Sequence, residues 1–488
     1  MITKNQSALL SDKLSAEVVK ESLRWVHGNK GLISDKVGYP SPRISSEIPD
    51  CSMPLTFDHY NFCSLGCQYC FAYFFKSNNP SVKSIELRSV NANHIIKTIK
   101  GKPTSKRDHE MYEAFYKRKF LLHWGGLADP FCNFERANKV GYKIISALGE
   151  ENYPTLFSFK GDTIFEKEYV SLFEQYSKQK NFAFQVSIIT ADEELAKVVE
   201  VGVPSPSKRI EALGMLSDMG YWTILRLRPF IIGISDSHLD ELLERSLKAG
   251  INAVSMEFFA MDARCSDGMR KRYEWLSGVI GVGGGAEGLS DYFKKLSPSE
   301  RGGYKRLNRL VKEVYVRKVY EFCQKNNLVF ACSDPDFKEL NMSGSCCGMP
   351  DHFPGNPLLE NWSRSQLTYH IKECRLKYHR TKELPTLTFE EVYGNSTSPE
   401  ALYLDSKVLS QDHVSVIGQC NAVRMNLTHR IIIQRQWNNL NSPANPRNYF
   451  HGKLMPNGVD SEGNLTYVYN PMEYESRWVS EGVDLSRR

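Results

Sequence analysis

Between residues 50 and 260 short apolar runs alternate with stretches of helical spacing. The runs at 55–58, 119–124, 154–160, 182–189, 221–228 and 253–258 read as strands. Apolar positions recur at helical spacing over 165–180, 192–200 and 237–248, and Ser205-Pro206 offers an N-cap and a first-turn proline to a further helix. Strand and helix therefore alternate six times, the pattern of a parallel sheet with helices outside it. Eight units would close a barrel. Six leave it open, so the expected fold is α/β, a partial (βα)6 barrel. Chemistry in such sheets belongs at the C-terminal strand ends, where Gly125-Gly126 and Lys160 fall.

The flanks are less regular. Residues 1–50 read as an adaptor: 15–27 has helical spacing, and Pro40, Pro42 and Pro49 impose an extended entry. The glycine-rich run from Gly281 to Gly288 lacks the Gly-Lys-Ser/Thr ending of a phosphate loop and no strand leads into it, so it reads as a connector. Ser297-Pro-Ser-Glu300 forms a capping box for a long helix reaching about Asn326, and 328–332 reads as a strand. The barrel is expected over 51–330, and 331–488 as an irregular C-terminal extension.

Composition narrows the class. The chain has 488 residues, 41% of them apolar and 24% charged, as in soluble globular proteins. No run approaches the ~18 apolar residues that cross a bilayer, and no secretory signal is expected. The net charge of +6 decides little, but its distribution says more. From His413 to Val459 there is no acidic residue, while Arg424, Arg430, Arg435, Arg447 and Lys453 are interleaved with Trp437, Tyr449 and Phe450. A second basic stretch runs through Arg364, Lys372, Arg375, Lys377, Arg380 and Lys382, with Glu373 against it. Cations with rings suit a single-stranded or flipped-base nucleic acid; the alternative is a solvated face.

The sharpest chemical signal is Cys63-Ser-Leu-Gly-Cys67-Gln-Tyr-Cys70. Three thiolates so spaced can hold three irons of one cubane cluster. Electron-transfer clusters use four, so the fourth iron is left open for another ligand. A zinc knuckle or buried thiols are the alternatives; zinc usually takes paired ligands, and no second pair lies nearby in the chain. The spacing, with Tyr69 before the last cysteine, resembles the signature of the radical S-adenosylmethionine (SAM) superfamily. There the open iron chelates SAM, and an electron cleaves it to a 5′-deoxyadenosyl radical. That resemblance implies a [4Fe–4S] cluster, SAM, a partial barrel of the radical SAM type, an electron donor such as flavodoxin or ferredoxin, and a reducing cytoplasm.

Further segments, in common order over roughly 50–260, are His123-Trp-Gly-Gly-Leu-Ala-Asp129-Pro-Phe-Cys132-Asn-Phe-Glu135, Phe157-Ser-Phe-Lys160, Val186-Ser187, Glu200 to Arg209, and Arg228-Pro229. Together they resemble the spore photoproduct lyase branch and its DNA-repair relatives. The likeness implies that Gly125 and Gly126 let backbone carbonyls approach the SAM amino group and that Lys160 pairs with the SAM carboxylate. It also implies that Ser187 meets the ribose, that Arg209 contacts the carboxylate or orients Glu200, and that Tyr69 and Arg228 belong to the same cofactor site. A surface lysine, helix caps and surface pairs are the structural alternatives. The lyase is expected to carry a hydrogen-donating cysteine before the aspartate, which this chain lacks. Cys132 is the substitute, unless it is a small buried hydrophobe.

Cys332, Cys346, Cys347 and Cys374 follow the core. They are expected to bind a second iron–sulfur cluster, to supply a hydrogen atom, or to be buried. Cys51, Cys265, Cys323 and Cys420 read as structural. The leading expectation is a radical SAM enzyme that abstracts hydrogen from a nucleic-acid base or nucleotide, for repair, rearrangement or modification. A peptide- or small-molecule-modifying enzyme with an auxiliary cluster, and a nucleic-acid-binding protein with a structural cluster, are the competitors.

Overall fold

The computed structural model describes residues 42–44, 50–53, 55–72, 87–263, 267–282, 285–296, 300–301, 304–349, 366–393 and 434–487. The expected helix at 15–27, and Arg364, Cys265, Cys420, Arg424 and Arg430, lie outside them.

Seven parallel strands form one sheet in chain order: β1 (Leu55–Phe57), β2 (Leu122–Trp124), β3 (Thr155–Phe159), β4 (Phe182–Ser187), β5 (Trp222–Phe230), β6 (Ala253–Phe258) and β7 (Val329–Cys332). Arg43–Ile44 adds an antiparallel edge to β1. The sheet is an open α/β partial barrel, as its periodicity indicated, but it has one strand more than the six expected units. Residues 329–332 join it beside β6 and carry the barrel past the expected boundary at 330.

The helix-facing side of the sheet is aromatic. Phe173, from α1 (Lys167–Tyr176), stands 6.1, 5.9 and 5.1 Å from the rings of Phe157, Phe182 and Phe184. Such edge-to-face pairs add about 0.5–1.5 kcal/mol each beyond the burial of their area. Asp192 caps α2 (Glu193–Val199) by accepting from the Glu194 and Leu195 amides, and Ser205 caps α3 (Pro206–Asp218) by accepting from Lys208. The opposite face of the same strands carries His123, Ser158, Gln185, Ser187, Arg226, Arg228, Ser255 and Glu257. Alternation in a strand sends successive side chains to opposite faces, so one set of strands builds an apolar outside and a polar inside.

Two local expectations are corrected. The helix expected from Ser297 begins only at Arg309, as α6 (Arg309–Lys325), where the Asn308 side chain accepts from the Leu310 amide at 3.0 Å. Gly302-Gly303 lies between, and a glycine pair weakens any helix started upstream. Glu300–Arg301 pairs instead with Tyr304–Lys305. The glycine-rich connector is in part helical: α4 (Asp267–Ile280) precedes it, and its second half opens α5 (Gly285–Leu296).

Beyond 366, α7 (Leu367–Thr381) and the antiparallel strands Thr386–Leu387, Leu465–Tyr469 and Leu454–Val459 surround a second apolar core. Through Tyr474 and Trp478, α8 (Glu473–Ser480) packs into the first core. Here the expected basic, aromatic surface is also corrected. Trp437, Phe450, Lys453, Arg375 and Lys372 are all buried. The sequence hid this because their partners are remote: Lys453 meets Glu339 at 3.2 Å, and Arg375 donates to Tyr320 Oη at 3.0 Å. Lys377, Arg380, Lys382, Arg435 and Arg447 remain exposed. Among the described residues no helix is long and apolar enough to cross a membrane.

Candidate active site at the strand ends

The cysteine loop leaves the C-terminal end of β1 and is fastened at several points. Gly66–Cys67 pairs antiparallel with Glu200–Val201, Gln68 N–H donates to Val199 O at 2.9 Å, and Cys70 N–H returns to Cys67 O at 3.2 Å. Arg272 Nη1, from α4, donates to Cys67 O at 2.8 Å. Cys63, Cys67 and Cys70 are free thiols. Burial pushes Cys67 up to about 12, and the contact with Cys132, then burial, pushes Cys63 up. Among the described residues no three His, Cys, Asp or Glu side chains converge to hold a single metal ion.

Glu200 anchors the loop from behind. Its Oε1 accepts from Lys160 Nζ at 2.5 Å and from the Tyr69 hydroxyl, and its Oε2 accepts from Arg209 Nη2 at 2.6 Å. Burial opposes the charge of Glu200, but Arg209 and Lys160 outweigh it and hold the carboxyl at about 2. Arg209 thus orients Glu200, one of its two expected roles, and its Nη1 also donates to Ser187 O at 2.7 Å. Lys160, Tyr69 and Arg209 thus all meet on Glu200 behind the cysteine loop.

Gly125 has a φ of +103°, and a Cβ there would come within 2.1 Å of Ser158 O. A Cβ on Gly126 would lie 3.0 Å from Thr56 Oγ1. Packing against β3 alone therefore demands the first glycine. Asp58 and Asp129 shape the following turn: Asp58 Oδ1 accepts from the Leu127 and Ala128 amides, and Asp129 from Phe131, Lys160 and Gly161. Cys132 caps a short helix, Asn133–Asn138, at 1% exposure with its thiol against Cys63.

One buried cluster was not foreseen. Glu135 accepts from His59 Nε2 at 3.0 Å, Tyr60 Oη at 2.8 Å, the Gly141 and Tyr142 amides and the Tyr169 hydroxyl. Trp124 Nε1 donates to His59 Nδ1 at 3.0 Å, which places the His59 proton on Nε2 toward Glu135. Glu135 ends the His123–Glu135 segment and His59 lies four residues before Cys63, and nothing local pairs residues 76 positions apart.

The inner face holds the second group. Ser158 Oγ donates to Gln185 Oε1 at 2.7 Å, and Gln185 Nε2 to Cys347 O at 2.5 Å. Ser255 Oγ and Arg228 both donate to Cys346 O, and Trp222 Nε1 donates to Gly348 O at 2.9 Å. The loop at 345–348 is therefore fixed against the inside of the sheet by side chains of three strands. The Cys347 thiol lies against Cys346 and beside Arg228, Cys51 and Arg226, and its contact with Cys346 is the main influence lowering it. Cys51 is thus not isolated. Cys374 is: it packs with Leu367, Ile371 and Leu387 in the second core, where burial pushes it up to about 12. Cys332 sits at the end of β7, fully buried, its amide bound by Asn341 Oδ1 at 2.5 Å. Cys374 therefore lies in a different core from Cys332, Cys346 and Cys347, which share Arg228 as a neighbour. A period-two row of polar residues in otherwise apolar strands, such as Arg226-x-Arg228 or Ser255-x-Glu257, was the signal that would have disclosed the inner face.

An open parallel α/β barrel with its candidate chemistry at the C-terminal rim is the class that this geometry defines. No family model matches the chain. Uncharacterised proteins of Mycobacterium tuberculosis and Mycobacterium bovis are 25% identical to it over 203 residues, 41% of this chain and 57% of theirs. The chain thus matches a little over half the length of these curated relatives. Among solved structures, spore photoproduct lyase complexed with dinucleoside spore photoproduct overlaps 67% of this chain and 95% of its own, with 13% identity and a TM-score of 0.46. Streptococcus suis SuiB bound to S-adenosylmethionine overlaps 57% and 50%, with 14% identity and a TM-score of 0.35.

Proposed function

We propose that the protein is a radical SAM enzyme that removes hydrogen from a nucleic-acid base or nucleotide. One observation carries this reading: three free thiols stand on a pinned loop at the C-terminal rim of an open parallel sheet. Thiolates are the donors that iron–sulfur clusters take. Cys63, Cys67 and Cys70 would hold a [4Fe–4S] cluster with one iron left for SAM. When bound, that group supplies the electron that cleaves SAM to a 5′-deoxyadenosyl radical.

The chain's own residues do the rest. Arg272, Glu200 and the bridge at Gly66–Cys67 fix the loop against the sheet and α4, holding the thiols at the rim. The Gly125 turn brings β2 close to β3, and the polar inner face orients a substrate that a purely apolar barrel would exclude. Electrons would come from a donor such as flavodoxin or ferredoxin. The exposed Lys377, Arg380, Lys382, Arg435 and Arg447 offer phosphate contacts outside the barrel.

The test is anaerobic reconstitution, reduction with dithionite and chromatography for 5′-deoxyadenosine. Wild-type protein is expected to form it, and Cys67→Ala to fall to background. A reconstituted wild type that leaves SAM intact overturns the proposal. Iron counting on a Cys63/Cys67/Cys70→Ala triple variant is expected to give close to none, because Cys374 lies in a different core from Cys346 and Cys347.

A further inference from the structure

Two guanidinium groups lie close together on the inner face, two residues apart on β5. Arg226 donates from Nη1 to Ser187 Oγ at 3.1 Å. Arg228 donates to Cys346 O, and its Nη1 is 3.6 Å from Glu257 Oε2. The Nε atoms of both arginines are buried without an acceptor among the described residues. Glu257 is 43% exposed, so much of its charge is turned to solvent. Burial, then Arg228, lowers Arg226 to about 10, whereas Cys347 and Glu257 outweigh burial at Arg228 and raise it. Cys347 and Glu257 both lie by Arg228, so Arg226 is the cation of the pair held less closely by an anion.

The position is that of a ligand site. Arg226 is in register with Ser187 on β4 and Ser255 on β6, so hydroxyls flank it on both sides. Arg228 lies two residues closer to the C-terminal strand ends, where parallel α/β sheets bind their ligands. Planar guanidinium forks match the oxygens of phosphate, and a pair of them covers such a group from two directions. We propose that Arg226 and Arg228, with Ser187, bind a phosphate of a nucleotide substrate inside the partial barrel. The inference rests on the radical SAM reading for the nucleotide's presence there, and it supplies the substrate contact that the buried C-terminal rings do not.

Calorimetric titration with each of the four deoxynucleoside 5′-monophosphates and its matching nucleoside tests it, with SAM titrated in parallel. Wild-type protein is expected to bind at least one nucleotide about tenfold or more tighter than its nucleoside. Arg226→Gln should abolish that phosphate-dependent increment, and Arg226→Lys should restore part of it. Should the glutamine variant not fold, the lysine variant and Ser187→Ala carry the test through a reduced increment. Equal binding of nucleotide and nucleoside by the wild type overturns the proposal, as does a loss of SAM affinity in the variants with the increment intact. A clear increment in a protein that never cleaves SAM keeps the phosphate site and removes the radical reading instead.

Discussion

Glu200 binds one cation on each of its oxygens, Lys160 and Arg209, and is itself buried, as is Arg209, with only Lys160 reaching the surface. Removing one member of a buried ionic group leaves the others uncompensated, at a cost of about 3–5 kcal/mol. Glu200→Gln is accordingly expected to lower unfolding stability by that order in denaturant titration. Lys160→Met in the same background should recover part of the loss, because an orphaned charge disappears with it. Gly125→Ala should destabilise by roughly 2 kcal/mol or more, since the residue has both a positive φ and a carbonyl where the methyl would go. Calorimetric unfolding of the two proteins side by side checks this. The sequence disclosed some of this residue-scale arrangement. Arg209 as a partner of Glu200 was legible because nine residues and one helix start separate them. The Lys160–Glu200 pair was not legible, because the carboxylate arrives from 40 residues away, on a two-residue strand no periodicity marks.

At the scale of elements the chain was easier to read. Strands β3 to β6 have apolar runs bounded by helical spacing, so period alone located them. The start of α6 was not legible from its capping box, because a cap specifies a helix only if the residues after it propagate one, and Gly302-Gly303 do not. The loop at 345–348 shows the other limit. Its backbone is held by side chains from β4, β5 and β6, contacts that a run of serine, cysteine and glycine does not announce. Gln185→Ala and Trp222→Phe each remove one of these donors. Amide hydrogen exchange at 345–348 is expected to quicken in both variants, with the strands themselves unchanged; unchanged exchange in the loop would show that these bonds do not hold it.

On the scale of the whole molecule, buried ionic groups fasten the C-terminal module to the barrel. Asp50 accepts from Lys338 Nζ, Tyr449 Oη and the Thr368 amide and hydroxyl at 2.6–2.8 Å, joining residues up to 399 positions apart. Asp50→Asn is expected to expose the C-terminal module to limited proteolysis before the barrel is cut. Glu339 lies nearby against Lys453 and Glu475, and burial raises it from the ordinary 4.5 to about 7. The folded chain therefore holds this proton more tightly than the unfolded one. Its contribution is complete below about 4.5 and is lost as pH rises through about 7, some ~3 kcal/mol in all. Glu339→Gln should flatten the stability profile over that window in urea titrations at stepped pH.

The loop at 345–348 is held against an inner face built from strands β4 to β6, residues 182 to 258. On the ribosome that face is complete well before its lining emerges from the exit tunnel. A nascent chain halted near residue 330 would carry Gln185, Arg228 and Ser255 with water where the backbone carbonyls belong, and a chaperone would meet an uncovered polar face. The last third of translation thus finishes the interior of the first two thirds.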